Sequence, residues 1–354
     1  MPEISQNAIA ATNGTGNAIE FTSASNTCTA NITNNLSNRN LIINGGMTVA
    51  QRSQSSTTSG YGSLDRWSVN YGGTDEAITH SQLELSSSDT GPWEKGFHNA
   101  LRITNGNQTS GFQAGSYVLA MQHIEDQNVA NSGWQIESAS SYITVSYWIR
   151  SSVSQEFFGH VETYDGTDKT YIWSTGTLSA NTWTKITKTI PGNSGLSMSN
   201  DNGQGLQVEP LMLWGTNFTA SDATINAWAA YSGGKRTTDM ASSWWTTNDA
   251  TIDITGVQCE VGNFASDFCH EPYSETLRKC QRYFWKQVAD DPFGMAGYKS
   301  SSEIIGVKEF KVTMRDSPSL TGDSFEIRID GGGRLTNGSG TLSVVQSRPD
   351  SCQY

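Results

Sequence analysis

The stretch 142–150, YITVSYWIR, constrains this chain more than any other nine residues. Ile143, Val145, Tyr147 and Ile149 alternate with Tyr142, Thr144, Ser146, Trp148 and Arg150. A period of two puts the first set on one side of an extended strand and the second set on the other. One face is apolar throughout and the other mixed, so the strand covers a core with its first face only. Runs of similar kind recur at 156–164, 169–173, 183–190, 206–214 and 250–261, bounded by turn fragments such as DGTD and PGNSG. Seven or more such runs predict an antiparallel two-sheet sandwich.

Helix is scarce. The stretch 274–288 follows Pro272 and can place Leu277, Cys280, Gln281 and Phe284 on one face, with Ser274 as its cap and Glu275 near its positive end. Residues 1–40 differ in kind. ATNGTGNA, TSASNT and NITNNLSNRN surround only Ile19 and Phe21, too little apolar surface to bury a core, which predicts an extended attachment arm. Residues 41–273 form the sandwich. After the helix, 289–354 alternates around the turn Asp330-Gly331-Gly332-Gly333 and reads as a small β module that gains by pairing with other copies.

Charged residues are 16% of the chain, against about 25% in ordinary domains, and the net charge is -12. No Lys/Arg cluster tracks phosphates, so nucleic acid and anionic membranes are poor partners. No stretch reaches the roughly 20 apolar residues a membrane helix needs, and the opening MPEISQNAIAATNG is not a secretion signal. Cys28, Cys259, Cys269, Cys280 and Cys352 lack CxxC spacing, which favours free thiols over a zinc site or a disulfide framework, although a Cys259–Cys269 bridge stays open.

Catalytic signals are sparse. His80, His98, His123, His160 and His270 stand far apart, and no HExxH or GxSxG motif occurs. No metal centre or catalytic residue is expected. Glu125, Asp126, Glu137, Glu162 and Asp165 are the acids from which a glycosidic pair would come, with solvated loop acids the plainer reading. The DGTD at 165–168 and DNG at 201–203 resemble fragments of calcium loops, but a turn suffices. Trp228, Tyr231, Trp244 and Trp245 fall within eighteen otherwise polar positions. Flat aromatic faces in such loops suit sugar rings, so these four are the glycan-binding candidates. The competing reading is that Trp228 and one of the adjacent pair Trp244 and Trp245 plug the end of the sandwich, since neighbours in a strand point opposite ways; Trp67, Trp148 and Trp183, in stronger strand patterns, are expected in the core. Arg66 and Glu260 are plausible ends of a polar contact.

Several phrases in order, LIINGGMTVAQRS at 41–53, LDRW at 64–67, ITVSYWIRS, TWTKITKTIPG, ITGVQCEVGNFASDFCHEPYSETLRKCQRYF at 254–284 and VKEFKVTMRDSPSLTG, resemble tail-fibre-like virion structural proteins of marine tailed bacteriophages of the cyanophage type. The resemblance implies an all-β fold: an antiparallel jelly-roll sandwich like carbohydrate-binding modules, with an N-terminal arm, one short helix and a C-terminal β module that trimerises. It implies no enzyme and no cofactor, though such jelly rolls often hold a structural calcium ion. The partners implied are two further copies of the chain, another virion protein through residues 1–40 and host-surface polysaccharide. The location implied is the virion surface. A capsid decoration without a receptor role and a polysaccharide depolymerase are the alternatives.

Overall fold

The computed structural model describes residues 40–286 and 309–319 in full, and elsewhere the backbone of the strands named below. The chain divides into two units, Met1–Arg39 and Asn40–Tyr354. In the first, β1 (Ala8–Ala10), β2 (Asn17–Thr22) and β3 (Thr27–Ala30) pair antiparallel in sequence order, so the arm expected at 1–40 carries a small sheet of its own.

The second unit is an all-β antiparallel jelly-roll sandwich. Sheet I has the order β12 (Thr184–Pro191), β9 (Tyr142–Ser151), β15 (Thr251–Val261), β7 (Asn99–Thr104), β6 (Thr79–Glu84), β4 (Ser55–Ser56). Sheet II has the order β14 (Trp228–Ala230), β11 (Lys169–Leu178), β10 (Gln155–Thr163), β13 (Gln204–Trp214), β8 (Tyr117–Glu125), β5 (Ser68–Gly72). Short helices α1 (Asp126–Ala130) and α2 (Ser243–Thr246) cap loops, and α3 (Tyr273–Gln281) follows the last sandwich strand. Farther on, β16 (Ala296–Ser300), β17 (Glu303–Glu309), β21 (Ser351–Gln353) and β20 (Gln346–Ser347) form a sheet. There too, β18 (Glu326–Ile329) and β19 (Gly333–Thr336) pair antiparallel, while residues 330–332 of the predicted glycine turn lie outside the described residues.

Alternation sets the core. Ile143, Val145, Tyr147 and Ile149 of β9 and Ile252, Ile254, Val257 and Cys259 of β15 meet Phe157, Val161, Tyr171, Trp173, Leu206, Val208, Leu211 and Leu213 of sheet II. Each large side chain so buried contributes about 1.5–3 kcal/mol. Trp173 donates its ring N–H to the Tyr147 hydroxyl at 3.2 Å, so the polar tips in this core satisfy each other. Cys259, Cys269 and Cys280 are free thiols.

The phrase INGGM has a structural job. Asn44 sits at φ +59°, a conformation asparagine tolerates better than most residues. Its amide donates to the carbonyls of Val49 and Asp65, and its oxygen accepts from the Thr48 and Val49 N–H groups. Gly45 lies against β15 where that strand bulges between Thr255 and Gln258. A Cβ on Gly45 would stand 2.0 Å from the Val257 carbonyl oxygen. The Trp67 indole donates to the Asn44 carbonyl at 3.0 Å, which ties LDRW to the same corner.

α3 is shorter than the predicted 274–288, and Ser274 does not cap it; Pro272 holds the N-cap position without a side-chain bond. The helix stops because the next three residues reach different anchors. Arg282 makes two 2.7 Å bonds to the buried Glu125 carboxylate, the Tyr283 ring lies 3.4 Å from the Arg66 guanidinium, and the Phe284 ring lies 3.7 Å from that of Arg52. Burial works against the Glu125 carboxylate, but hydrogen bonds from Arg282 and Tyr283 overcome it and hold its pKa below the usual glutamate range. The predicted Arg66–Glu260 contact does not form. Arg66 faces Tyr283 and the His123 carbonyl, while Glu260 accepts from Ser266 and Gln258.

Candidate functional site

The outer face of sheet I carries an open groove of about 280 Å³. Its floor comes from the mixed row of β9 and its neighbours: Ser146, Trp148, Lys185 and Gln258. One wall is the turn that bears Glu94, Lys95 and Phe97; the other is Asp267, Phe268 and His270. Phe97, Phe268 and His270 stack with centroids 4.7 to 5.0 Å apart. His270 bonds the Lys95 carbonyl at 2.8 Å and so ties the walls together. Gly256, at φ +64°, leaves room for the Phe97 ring, which a Cβ there would meet at 2.6 Å. Trp93, Trp148 and Trp183 are only partly buried.

Trp148 and Trp183 are therefore not core residues as the sequence suggested: Trp148 stands on the mixed side of β9, and Trp183 lies just before β12 begins. Below them Asp253, 1% exposed, takes bonds from Arg102 at 2.7 and 2.9 Å and from Arg150 at 2.8 and 3.0 Å. Arg150 also bonds Asp89 at 2.7 Å and lies 4.7 Å from the Trp183 ring centroid. This ionic rail holds the aromatic end of the groove rigid. Chemically the groove offers flat rings beside neutral and charged hydrogen-bonding groups. Glu94 and Asp267 stand on opposite walls, with the Lys95 ammonium 3.9 Å from the Asp267 carboxylate.

Sheet II presents a different outer face. At one end Leu119, Met121, Phe158, Ile172, Met212 and Trp214 form a second apolar cluster, covered by Phe218 and Met240 of the segment 215–240. At the other end His160 lies with its Nε2 3.5 Å from Glu162 and 3.4 Å from Glu209. Gln207 donates to Glu209 at 2.8 Å and to His160 at 3.2 Å, and accepts from the Tyr164 hydroxyl at 2.8 Å. Burial pushes Glu162 up to about 7, pushes Glu209 well above the carboxylate range and drops His160 to about 3. Sequence reasoning named His160 and Glu162 separately but missed the set. Its signal was HVET at 160–163 and QVEP at 207–210, polar residues two apart inside apolar strands.

Of the four aromatic candidates, Trp244 and Trp245 are both 0% exposed core residues, so the two of them, rather than Trp228 and one of the pair, fill the core, and neither can stack on a ligand. Neither points outward, because both sit in the short α2 rather than a strand. Trp228 is half-buried and donates to the Pro191 carbonyl at 2.6 Å; half-buried Tyr231 meets Arg236 at the edge of sheet II. The structure thus separates these candidates.

Of the acids, Asp126 and Asp165 come together and the others stand apart. Glu137 is exposed, Glu125 is consumed by Arg282, and Asp165 accepts from the Ser199 N–H and hydroxyl. Asp126 accepts from the Asp201 N–H at 3.2 Å, and its pKa is raised by burial and by neighbouring Asp165. The calcium-like fragments meet here. Their carboxylates cap the 199–203 turn, and no three His, Cys, Asp or Glu side chains converge among the described residues. This donor set does not make a calcium cage.

No family model matches the chain, and no curated protein matches it. Solved structures do. The enzymatically active domain of tailspike protein 4 from bacteriophage CBA120 is 11% identical over 63% of this chain, TM-score 0.33, and this chain spans only 21% of it. A putative sugar binding protein from Bacteroides thetaiotaomicron is 10% identical, with 63% of this chain and 100% of that one covered, TM-score 0.35. TmCBM61, solved with β-1,4-galactotriose, is 10% identical over 63% and 99%, TM-score 0.32. At these values the likeness carries no weight in assigning a ligand.

Proposed function

We propose that this chain is a non-enzymatic surface subunit of a tailed-phage particle that contacts host-surface saccharide through the sheet I groove. The observation that carries the reading is the groove itself: an open cleft in which the part-exposed Trp148 indole and the Phe268 and His270 rings stand beside Glu94, Lys185 and Asp267, over a floor closed by the buried Phe97, Ser146 and Gln258. Aromatic faces cover the apolar side of a pyranose while ammonium and carboxylate groups meet its hydroxyls. The phage setting, the trimeric C-terminal module and the role of residues 1–40 in attachment rest on the sequence phrases. A single shallow groove binds weakly, and linked copies raise the effective concentration without new contacts.

The depolymerase alternative needs accessible acids. Among the described residues Glu162 and Glu209 flank His160 with side chains 8% and 1% exposed, too enclosed for a polymer, and Asp126 beside Asp165 is itself buried. Affinity electrophoresis in gels containing host envelope polysaccharide tests the reading. The wild-type chain is retarded, and Trp148→Ala loses most of the retardation, on the order of tenfold in affinity, the loss of about 1.4 kcal/mol. Equal retardation of both proteins, or sugar release that depends on Glu162, would overturn it. Cryo-electron microscopy of particles separates tail from capsid placement.

A further inference from the structure

We infer that the sheet I groove selects acidic saccharide, a sugar ring that carries a carboxylate or a sulfate, and that Lys185 is the residue that reads the charge. The inference rests on the saccharide reading of that groove and narrows it to one class of ligand.

Lys95, Asp267, Glu94 and Lys185 bring charge to the groove, and the first two partner each other. The Lys95 ammonium lies 3.9 Å from the Asp267 carboxylate, with the side chains 60% and 92% exposed. Lys185 is exposed as well, but among the described residues its ammonium makes no hydrogen bond, ion pair or ring contact. Its charge is left for a ligand. Glu94 on the wall is likewise without a cation in ion-pair range. A carboxylate there accepts hydroxyl hydrogens, which acidic and neutral sugars both present, so Glu94 does not tell one from the other.

The fold puts Lys185 beside the aromatic platform. In the β9–β12 ladder it stands directly opposite Trp148, which sets the two Cβ atoms about 5 Å apart on one face of the sheet. Two residues earlier in the chain is Trp183, and both indoles pack against the same apolar cluster. The two rings are themselves fixed. Trp183 donates its ring N–H to Asp89 at 3.2 Å and lies 4.7 Å from the Arg150 guanidinium. Trp148 is held by the close approach of Gly91, where a Cβ would stand 2.8 Å from the ring.

A pyranose stacked on an indole projects its equatorial substituents sideways, past the edge of the aromatic ring. On the β12 side of Trp148 the side chain they meet is Lys185. A carboxylate or sulfate at that edge gains a charge-assisted hydrogen bond from an ammonium that gives up no partner to make it. The gain is that of one solvent-exposed ion pair, about fivefold in affinity. With a net charge of -12 the chain does not draw a polyanion from a distance. Discrimination therefore comes from the contact itself.

Equilibrium binding of the full chain to beads that carry host envelope polysaccharide, native, carboxyl-reduced or desulfated, tests the assignment. Carboxyl reduction turns each uronate into the neutral sugar, so each treated form differs from the native one only in the charge removed. The wild-type chain should hold the native form about fivefold more tightly than one of the treated forms, and which one tells carboxylate from sulfate. Lys185→Gln should lose that preference and hold the treated form as the wild type does, whereas Lys185→Arg should keep it. Lys185 is exposed, so neither change disturbs the core. Equal affinity of the wild type for all forms would overturn the acidic assignment, and a loss of binding in Trp148→Ala would then leave the saccharide reading standing without it. A preference that survives in Lys185→Gln would remove Lys185 from the role. No binding of the wild type to any form would overturn the groove reading and the inference together.

Discussion

Gly45→Ala will destabilise the sandwich by about 3 kcal/mol or more, whereas Gly46→Ala, one residue along, will cost under about 1 kcal/mol. The contrast follows from what each new methyl meets. At Gly45 it falls 2.0 Å from the Val257 carbonyl oxygen, in the β15 bulge between its ladder pairs with β9 at Thr255 and Gln258. Backbone there cannot withdraw without breaking the β15 bulge and the 3.0 Å bond from the Val257 N–H back to the Gly45 carbonyl. At Gly46 the nearest atom is the Phe268 ring at 3.6 Å, ordinary contact. Denaturant unfolding of the two variants gives the comparison. Similar midpoints would mean that the corner is pliable and that INGGM is not the lock between the first loop and the last strand.

The second large effect lies beneath the groove. Asp253→Ala will cost about 2–4 kcal/mol, because it strands Arg102 and Arg150 together without their shared counter-charge. Asp253 is 1% exposed, while the two arginine side chains are 32% and 19% exposed, so water relieves part of the penalty and the upper end of the usual range is not reached. Asp89 retains one bond to Arg150. The double variant Asp253→Ala with Arg102→Ala should recover part of the loss, since it removes one of the two stranded cations. A double-mutant cycle that shows no recovery would mean that the loss is packing alone.

Much of the scaffold was legible. The stretch 142–150 announced both faces of β9, and the predicted runs at 156–164, 206–214 and 250–261 lie within two residues of β10, β13 and β15. Alternation is a local property and survives folding. The helix was overrun because its periodicity continues past Gln281, while tertiary anchors for Arg282, Tyr283 and Phe284 end it. The groove was less legible. Trp148 and Ser146 were assigned to the mixed face correctly, but their partners Lys95, Phe97, Phe268 and His270 come from two segments about 170 positions apart. Nothing in local spacing brings those together. Trp244 and Trp245 misled for the opposite reason: polar neighbours in sequence suggest exposure, yet the loop folds both rings inward. The buried set of His160, Glu162, Gln207 and Glu209 needed two strands placed side by side. Only the pairing of His160 with Glu209 in the β10–β13 register supplies that.

The central claim is that saccharide is held at the outer face of sheet I, and fluorine NMR of the chain labelled with fluorotryptophan tests it most directly. On titration with fragments of host-surface polysaccharide, the Trp148 and Trp93 resonances should shift together and saturate. Those of the buried Trp67, Trp173, Trp244 and Trp245 should stay in place. Shifts confined to Trp214 or Trp228, or no shift at any tryptophan with fragments that the whole particle does bind, would contradict the account.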